Sequence, residues 1–430
     1  MNWKKYKLLP KAEKSDESKF ILGLDIGNDS SAIAFYDALR GCAEVIDISG
    51  GYGRPSVPTV MQYIRETKEW VFGEYAILNR GQGQEVTLGS LVEKLGRREY
   101  LEIDGKPVSV VSVLGLFLKE IAASVKNIDP KAEVAGIVAS IPSYMSGEAK
   151  EELTWAFKSA GLEKELICLA PERECVLASY FKKEGAADGT VLLMDYGSRE
   201  VRGGAYRVSV KLPSASRYDR QGKEARIKSL SSLFDEELGA RRVEASLTEM
   251  LLADFPQRPT PRIMEHFSAF LYQHKDLLFQ KSARPVKLYM NFVYPPAQAV
   301  VPKKRMDALI EPYRARLAQF VTDILGKNIY ESHPIAAADV SCIVCSGGGF
   351  EMPWVRDCLA EIFPAAKIIL PRNPKAVAAE GAALLAAAYL GVEENIPAMT
   401  VEDLHQIRAD IGRKVRMDGR EKFLPLVERN

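Results

Sequence analysis

Two carboxylates stand out by their setting. Asp25 closes the apolar run Phe20-Ile-Leu-Gly-Leu24 and is followed by Gly27, Asn28, Asp29, Ser30 and Ser31, then by a second apolar run from Ala32 to Tyr36. That pattern predicts a β-hairpin with a tight turn. Backbone N–H groups lined up in such a turn make a concavity suited to phosphate. A carboxylate at the strand end can hold Mg2+ through water. Asp195 stands in the same setting 170 positions later, in Gly189-Thr-Val-Leu-Leu-Met-Asp-Tyr-Gly197, with a return strand over 203–212. Two strand–Asp–x–Gly turns form an internal repeat and imply two related halves facing one another. A pair of solvated strand-end carboxylates is the simpler alternative.

The elements around these turns are legible from periodicity and punctuation. After the first hairpin, residues 44–49 predict a third strand, 59–63 and 69–72 a short hairpin, and 108–125 a helix. A buried strand over 134–141 stops at Pro142, and a helix over 146–160 takes Ser146 as N-cap and Gly161 as its stop. A strand over 166–169 and a helix over 172–182 lead to the second hairpin. Helices are expected over 230–255, 264–279 and 305–325, with a strand at 286–293. The strand 339–345, the Gly347-Gly-Gly349 loop, the helix 353–362, the strand 367–370 and an alanine-rich helix over 374–390 complete the compact region. The charged remainder predicts one helix around 401–414 and then a loose tail.

Composition sets outer limits. The 430 residues, 47% hydrophobic and 27% charged, are enough for two or more lobes of a globular protein. A net charge of +1 argues against nucleic acid or an anionic membrane as partner. No apolar run is long enough to span a membrane, and residues 1–10 carry no apolar signal region. Six scattered cysteines make no disulfide framework. Cys342 and Cys345 have CxxC spacing on a strand, which sends them to opposite faces and disfavours shared metal ligation. A reducing, cytoplasmic setting is the expectation.

Taken together, the segments resemble the actin-like ATPases, and specifically the nucleotide-binding domain of DnaK-type (seventy-kilodalton heat-shock) chaperones. Five blocks carry the resemblance, over about residues 20 to 392: Leu24-Asp-Ile-Gly-Asn-Asp-Ser-Ser31; Val138-Ala-Ser-Ile-Pro-Ser-Tyr-Met-Ser146 with Ala170-Pro-Glu-Arg-Glu-Cys175; Met194-Asp-Tyr-Gly197; Leu238-Gly-Ala240; and Ser346-Gly-Gly-Gly-Phe-Glu-Met-Pro353 with Asn373-Pro-Lys-Ala-Val-Ala-Ala-Glu-Gly-Ala-Ala383. The resemblance implies an α/β, ribonuclease H-like two-lobed fold with a nucleotide cleft between duplicated halves. The lobes would be 20–187 and 188–392, the second holding a helical subdomain at about 230–330, with a disordered lead-in over 1–19 and a charged tail over 393–430.

The resemblance further implies ATP or ADP with Mg2+ in that cleft. Asp25, Asp195 and Glu172 take the catalytic positions, the two aspartates also binding metal through water. Gly27, Asn28, Asp29 and Ser30 form the first phosphate turn, Gly197, Ser198 and Arg199 the second, and Gly239 and Ala240 a third phosphate contact. Lys275 and the loop Gly347, Gly348 and Gly349 face adenosine.

The departures from the family matter as much. Asn28 and Asp29 replace two threonines. Ser198, Arg199 and Glu200 replace two glycines and a threonine, although Arg199 can itself pair with phosphate. The family's catalytic glutamate falls on Pro171, one step from Glu172. Its phosphate-directed lysine falls near Val92, two steps from Lys94, and Glu351 replaces an arginine. ATP or ADP binding with slow or absent hydrolysis follows, in a nucleotide switch acting through co-chaperone-like or client proteins. The region after 392 carries no apolar linker, so client-peptide binding of the usual kind is not expected. A scaffold that has lost tight nucleotide binding, and a small-molecule kinase or filament protein on the same fold, are the alternatives.

Overall fold

The computed structural model describes residues 19–49, 51, 53–78, 85–211, 223–254, 260–280, 284–294, 296–327 and 333–402, together with the backbone of 411–417 and 420–427. It is a mixed α/β structure organised on two six-stranded sheets. The expected lead-in lies outside the described residues except for Lys19, which opens the first strand.

The first sheet holds β1 (Lys19–Ile26), β2 (Ser30–Asp37), β3 (Cys42–Val45), β4 (Glu133–Ile141) and β5 (Leu166–Pro171) in the order β5-β4-β1-β2-β3, with Val57–Pro58 pairing to β2. Strands β1, β2 and β3 form an antiparallel meander, while β4 and β5 run parallel to β1. The continuous apolar runs of β1 and β4 suit strands covered on both faces. Helices α1 (Val110–Ala123) and α2 (Gly147–Ser159) pack on each other, and α3 (Glu172–Glu184) follows β5. Ser146 caps α2 by accepting the Ala149 N–H, and Gly161 ends it at φ +76°.

The second sheet repeats that plan. Strands β6 (Gly189–Tyr196), β7 (Val201–Lys211) and β8 (Glu224–Asp235) form the meander, and β9 (Val340–Ser346) and β10 (Lys367–Ile369) lie parallel to β6 in the order β10-β9-β6-β7-β8. Strand β11 (Ala398–Glu402) adds to β8 in parallel. Helices α4 (Ala240–Leu252), α5 (Pro261–Phe279), α6 (Lys303–Gly326), α7 (Pro353–Ile362) and α8 (Val377–Tyr389) complete this half.

Two helices join the halves. α8 lies on β1 and β2 of the first sheet, where Ala376, Ala379 and Ala383 meet Ala32 and Ala34, and it crosses α3. Small residues allow the approach: a methyl on Gly23 would stand 2.7 Å from the Ala382 carbonyl carbon, and one on Gly381 would overlap the Cys175 carbonyl. A shared core of Ile21, Val138 and Val176 with Leu193, Val344 and Leu384 runs through this joint.

Two expectations are corrected. Residues 230–235 belong to β8 rather than to a helix: 224–228 alternates apolar and polar residues at period two, the strand stays paired with β7 through Asp235, and α4 starts only at Ala240. The region after 392 is not a loose tail in its described part. Glu393 is buried, β11 joins the second sheet, and Ile411–Met417 pairs with Arg420–Val427 as a hairpin. The helix expected around 401–414 is therefore replaced by strands at both ends, and its middle, 403–410, lies outside the described residues.

Candidate functional site

Each meander delivers its aspartate in the same way. Asp25, near the end of β1, pairs in register with Ser140 on the parallel neighbour β4, and Asp195, near the end of β6, pairs with Ser346 on β9. In each half the carboxylate sits at the strand ends where a parallel pair meets an antiparallel one, the position at which open α/β sheets collect ligands. The Ser346 hydroxyl donates to Asp195 at 3.0 Å. The repeat was visible in the sequence; the two serines were not, because their pairing depends on strand register.

Glu172, at the start of α3, joins the two aspartates. Burial, then the Asp195 charge, push the Asp25 carboxyl up to about 7. Burial also raises Asp195, against the pull of Arg202 and Ser346. Glu172 stands well above the ordinary range because it is buried beside both aspartates. The counter-charge is Arg202 on β7, which donates to Glu200, lies 3.6 Å from Glu172 and stacks 4.1 Å from the Tyr144 ring centroid. Arg202 and Tyr144 were missed by sequence reasoning, and Glu200 was read only as a departure in the second turn; the alternation along β7, which turns Arg202 to the same side as Gly204 and Tyr206, was the one hint of Arg202.

The first turn places Gly27 tightly, since a methyl there would stand 2.5 Å from the Ser30 carbonyl oxygen. The Asn28 Oδ1 atom is buried without a hydrogen-bond partner. Asp29 is held by Arg241 of α4, and Ser30 begins β2. In the second turn Gly197 donates its N–H to Glu200, and Arg199 pairs with Glu93 at 2.8 Å and more distantly with Glu236.

Gly239 and Ala240, the expected third phosphate contact, are engaged within the protein. The Ala240 N–H donates to the Gly197 carbonyl and the Arg241 N–H to the Ser198 carbonyl, while a methyl on Gly239 would stand 2.7 Å from Ser198 O. These groups lock α4 onto the second turn. Lys94 pairs with Glu99 at 2.8 Å, while its neighbour Glu93 pairs with Arg199 of the second turn.

In the Gly347–Gly349 loop, Gly347 adopts φ +91°, where a methyl would come 2.6 Å from Asp195 Oδ1. Gly348 lies under Lys375, whose Nζ pairs with Glu351 at 2.8 Å, and Gly349 admits the Tyr196 ring. Lys275 of α5 is paired with Glu244 of α4 and lies 5.8 Å from the Tyr272 ring centroid. Among the described residues no three His, Cys, Asp or Glu side chains are grouped to ligate a metal directly. No helix among the described residues is long and apolar enough to cross a membrane.

The site thus brings Asp25, Asp195 and Glu172 near enough for their charges to act on one another, with both turns beside them, and engages Gly239, Ala240 and Lys275 in contacts within the protein. A family profile described as "Family of unknown function (DUF5716) C-terminal" matches residues 44–219, which run from within β3 past the second turn and its return strand β7.

Proposed function

We propose that this chain is a nucleotide-responsive switch of the actin-like ATPase kind, similar to the DnaK-type nucleotide-binding domain, that takes ATP or ADP with Mg2+ between its halves and acts through protein partners. The observation that carries the reading is the duplicated sheet plan, which ends a strand of each half on an aspartate, with Asp25, Asp195 and Glu172 near enough for their charges to act on one another. The donor set fits the cofactor. Three mutually interacting carboxylates, Asp195 buried and Asp25 and Glu172 partly so, with one arginine beside them favour a cation held through water. The orphaned Asn28 Oδ1 is an acceptor that a metal-bound water or a sugar hydroxyl would satisfy. Arg199 and Arg241 supply planar, bidentate groups suited to phosphate.

When bound, Mg2+ would neutralise phosphate charge and order water. Asp25 and Asp195 would hold that water shell, and Gly347 lets the backbone pass close to Asp195. Hydrolysis is slow or absent in this reading. Glu172 is tied electrostatically to Arg202, and side chains at 198–200 stand where the family keeps bare backbone.

Two observations favour the second reading, a scaffold that no longer binds nucleotide tightly: Lys375 covers Gly348, and the Ala240 and Arg241 N–H groups of α4 are already donated. Calorimetric titration of Mg·ADP and Mg·ATP into the intact chain and into Asp195→Asn decides between them. Micromolar binding that weakens at least about tenfold in the variant supports the switch. Absence of heat at millimolar nucleotide leaves the scaffold.

A further inference from the structure

The two halves are tied across the site by charged side chains of the protein itself. Arg241, in the first turn of α4, sends Nε to both oxygens of Asp29 at 2.9 and 2.8 Å and Nη2 to Asp29 and to the Ser90 hydroxyl, the latter at 2.9 Å. Its Nη1 lies 3.9 Å from Glu93, whose other oxygen binds Arg199 of the second turn at 2.8 Å. Asp29, Ser90 and Glu93 belong to the first half, and Arg199 and Arg241 to the second. We propose that this network is a latch that holds the cleft closed without ligand, and that a phosphate-bearing ligand enters by displacing Asp29 and Glu93 from the two arginines. The ligand half of this proposal rests on the nucleotide reading above; the latch itself does not.

Three features argue for a dedicated device. First, arginine is electrostatically misplaced at a helix N-terminus, where the helix dipole is positive. α4 opens Ala240-Arg241-Arg242 with no acidic residue in its first turn. Asp29 and Glu93 provide the offset from across the cleft, so the two halves correct one another's charge. Second, Arg199 and Arg241 move as one body, because the Arg241 N–H is bonded to Ser198 O at 2.8 Å and Gly239 packs against the same turn. Opening the cleft must therefore break both arginine contacts together. Third, Ser90 holds φ +52°, a conformation unfavourable for serine, and in it the hydroxyl reaches Arg241. The side chains of Arg241 and Asp29 remain 39% and 38% exposed, so solvent and salt weaken the pairs and the latch is openable.

The sign of the charges defines the ligand. In the DnaK-type pattern a lysine of the first half is expected to face phosphate. Here Glu93 stands in that region and the cations come from the second half, so a polyanion replaces two carboxylates and keeps both arginines paired.

The test is amide hydrogen exchange on the intact chain, read at residues 27–31, 90–95 and 197–200, with tripolyphosphate as the probe ligand. Arg241→Ala should raise exchange in all three segments by about tenfold. Moving the wild type from about 0.05 to 1 M NaCl, where the screening length falls to about 3 Å, should reproduce part of that rise. The swapped pair Asp29→Arg with Arg241→Asp should restore protection. Unchanged exchange in Arg241→Ala, or no recovery in the swap relative to either single variant, overturns the latch. In calorimetry, Asp29→Asn should bind tripolyphosphate at least about fivefold more tightly than wild type, because the competing carboxylate is gone. Equal or weaker binding overturns the displacement step. If no variant binds tripolyphosphate, the nucleotide reading fails while the exchange data still decide the latch.

Discussion

Gly381→Ala sets two known effects against each other at the joint between the halves. In an ordinary helix interior, replacing glycine by alanine stabilises by roughly 0.5–1 kcal/mol, since the unfolded chain loses freedom and the helix gains a better former. Gly381 lies inside α8, and its added methyl would overlap the Cys175 carbonyl oxygen and stand 3.0 Å from the Cys175 Cα on α3. The obstruction is backbone on both sides, so no rotamer relieves it. The helices must part by roughly 1–2 Å, opening the closely packed core around Val176, Ala382 and Leu385. Overpacking of this kind costs about 1–3 kcal/mol, and a backbone clash belongs at or above the upper end. The net expectation is a loss of about 2 kcal/mol or more. Gly147→Ala, at the first turn of α2 with nothing within 4 Å of its added methyl, is the control and should change stability by less than about 1 kcal/mol. Urea unfolding followed by tryptophan fluorescence measures both. A Gly381→Ala midpoint equal to or above wild type would refute the α3–α8 crossing described here.

Two further substitutions probe the buried polar groups. Glu393 has a side chain only 1% exposed and accepts from Lys182 at 2.5 Å and Tyr36 at 2.9 Å, so Glu393→Gln should cost about 2–4 kcal/mol in urea unfolding by stranding the Lys182 ammonium. Burial alone would raise the Glu393 carboxyl, but Lys182, the Asn395 N–H and Tyr36 outweigh it and hold it below its ordinary value. Its folded pKa is thus below the unfolded one, so its contribution is complete above about pH 4.3 and fades as the pH falls through the folded value. The wild-type advantage over Glu393→Gln should shrink across that acid range, and an advantage that grows on acidification would contradict the pairing. Tyr196 is fully buried and its hydroxyl has no partner, so Tyr196→Phe should be neutral or stabilising by up to about 2 kcal/mol. A loss of more than about 1 kcal/mol in the same assay would mean that the hydroxyl is bonded.

The parts legible in the sequence are those set by local chemistry. The Asp–x–Gly turns, the Ser146 cap, the Gly161 stop and the long apolar strands each carry their signal within a few residues. Residues 230–235 were misread because a twelve-residue strand runs, after a single 3-10 turn, into the helical pattern of α4, and the apolar positions blend. Strand β11 was missed because Ala-Met-Thr-Val-Glu is short and lies among charges, and its pairing partner is more than 170 positions earlier. At the site, the aspartates were recognised through their repeat. Arg199 was recognised through its place in the second turn, but Arg241 was not, since it meets Asp29 across 212 positions and no spacing rule links them. The one available signal was two consecutive arginines in a helix first turn, a placement that requires distant acids.

The central claim is that one ligand engages both halves at once. Amide exchange of the wild type with and without Mg·ADP, read at residues 26–31 of the first turn and 195–200 of the second, tests it most directly. Added protection in both turns at the same ADP concentration is the expected result. Protection confined to one turn, or no change in either at saturating ADP, would contradict it.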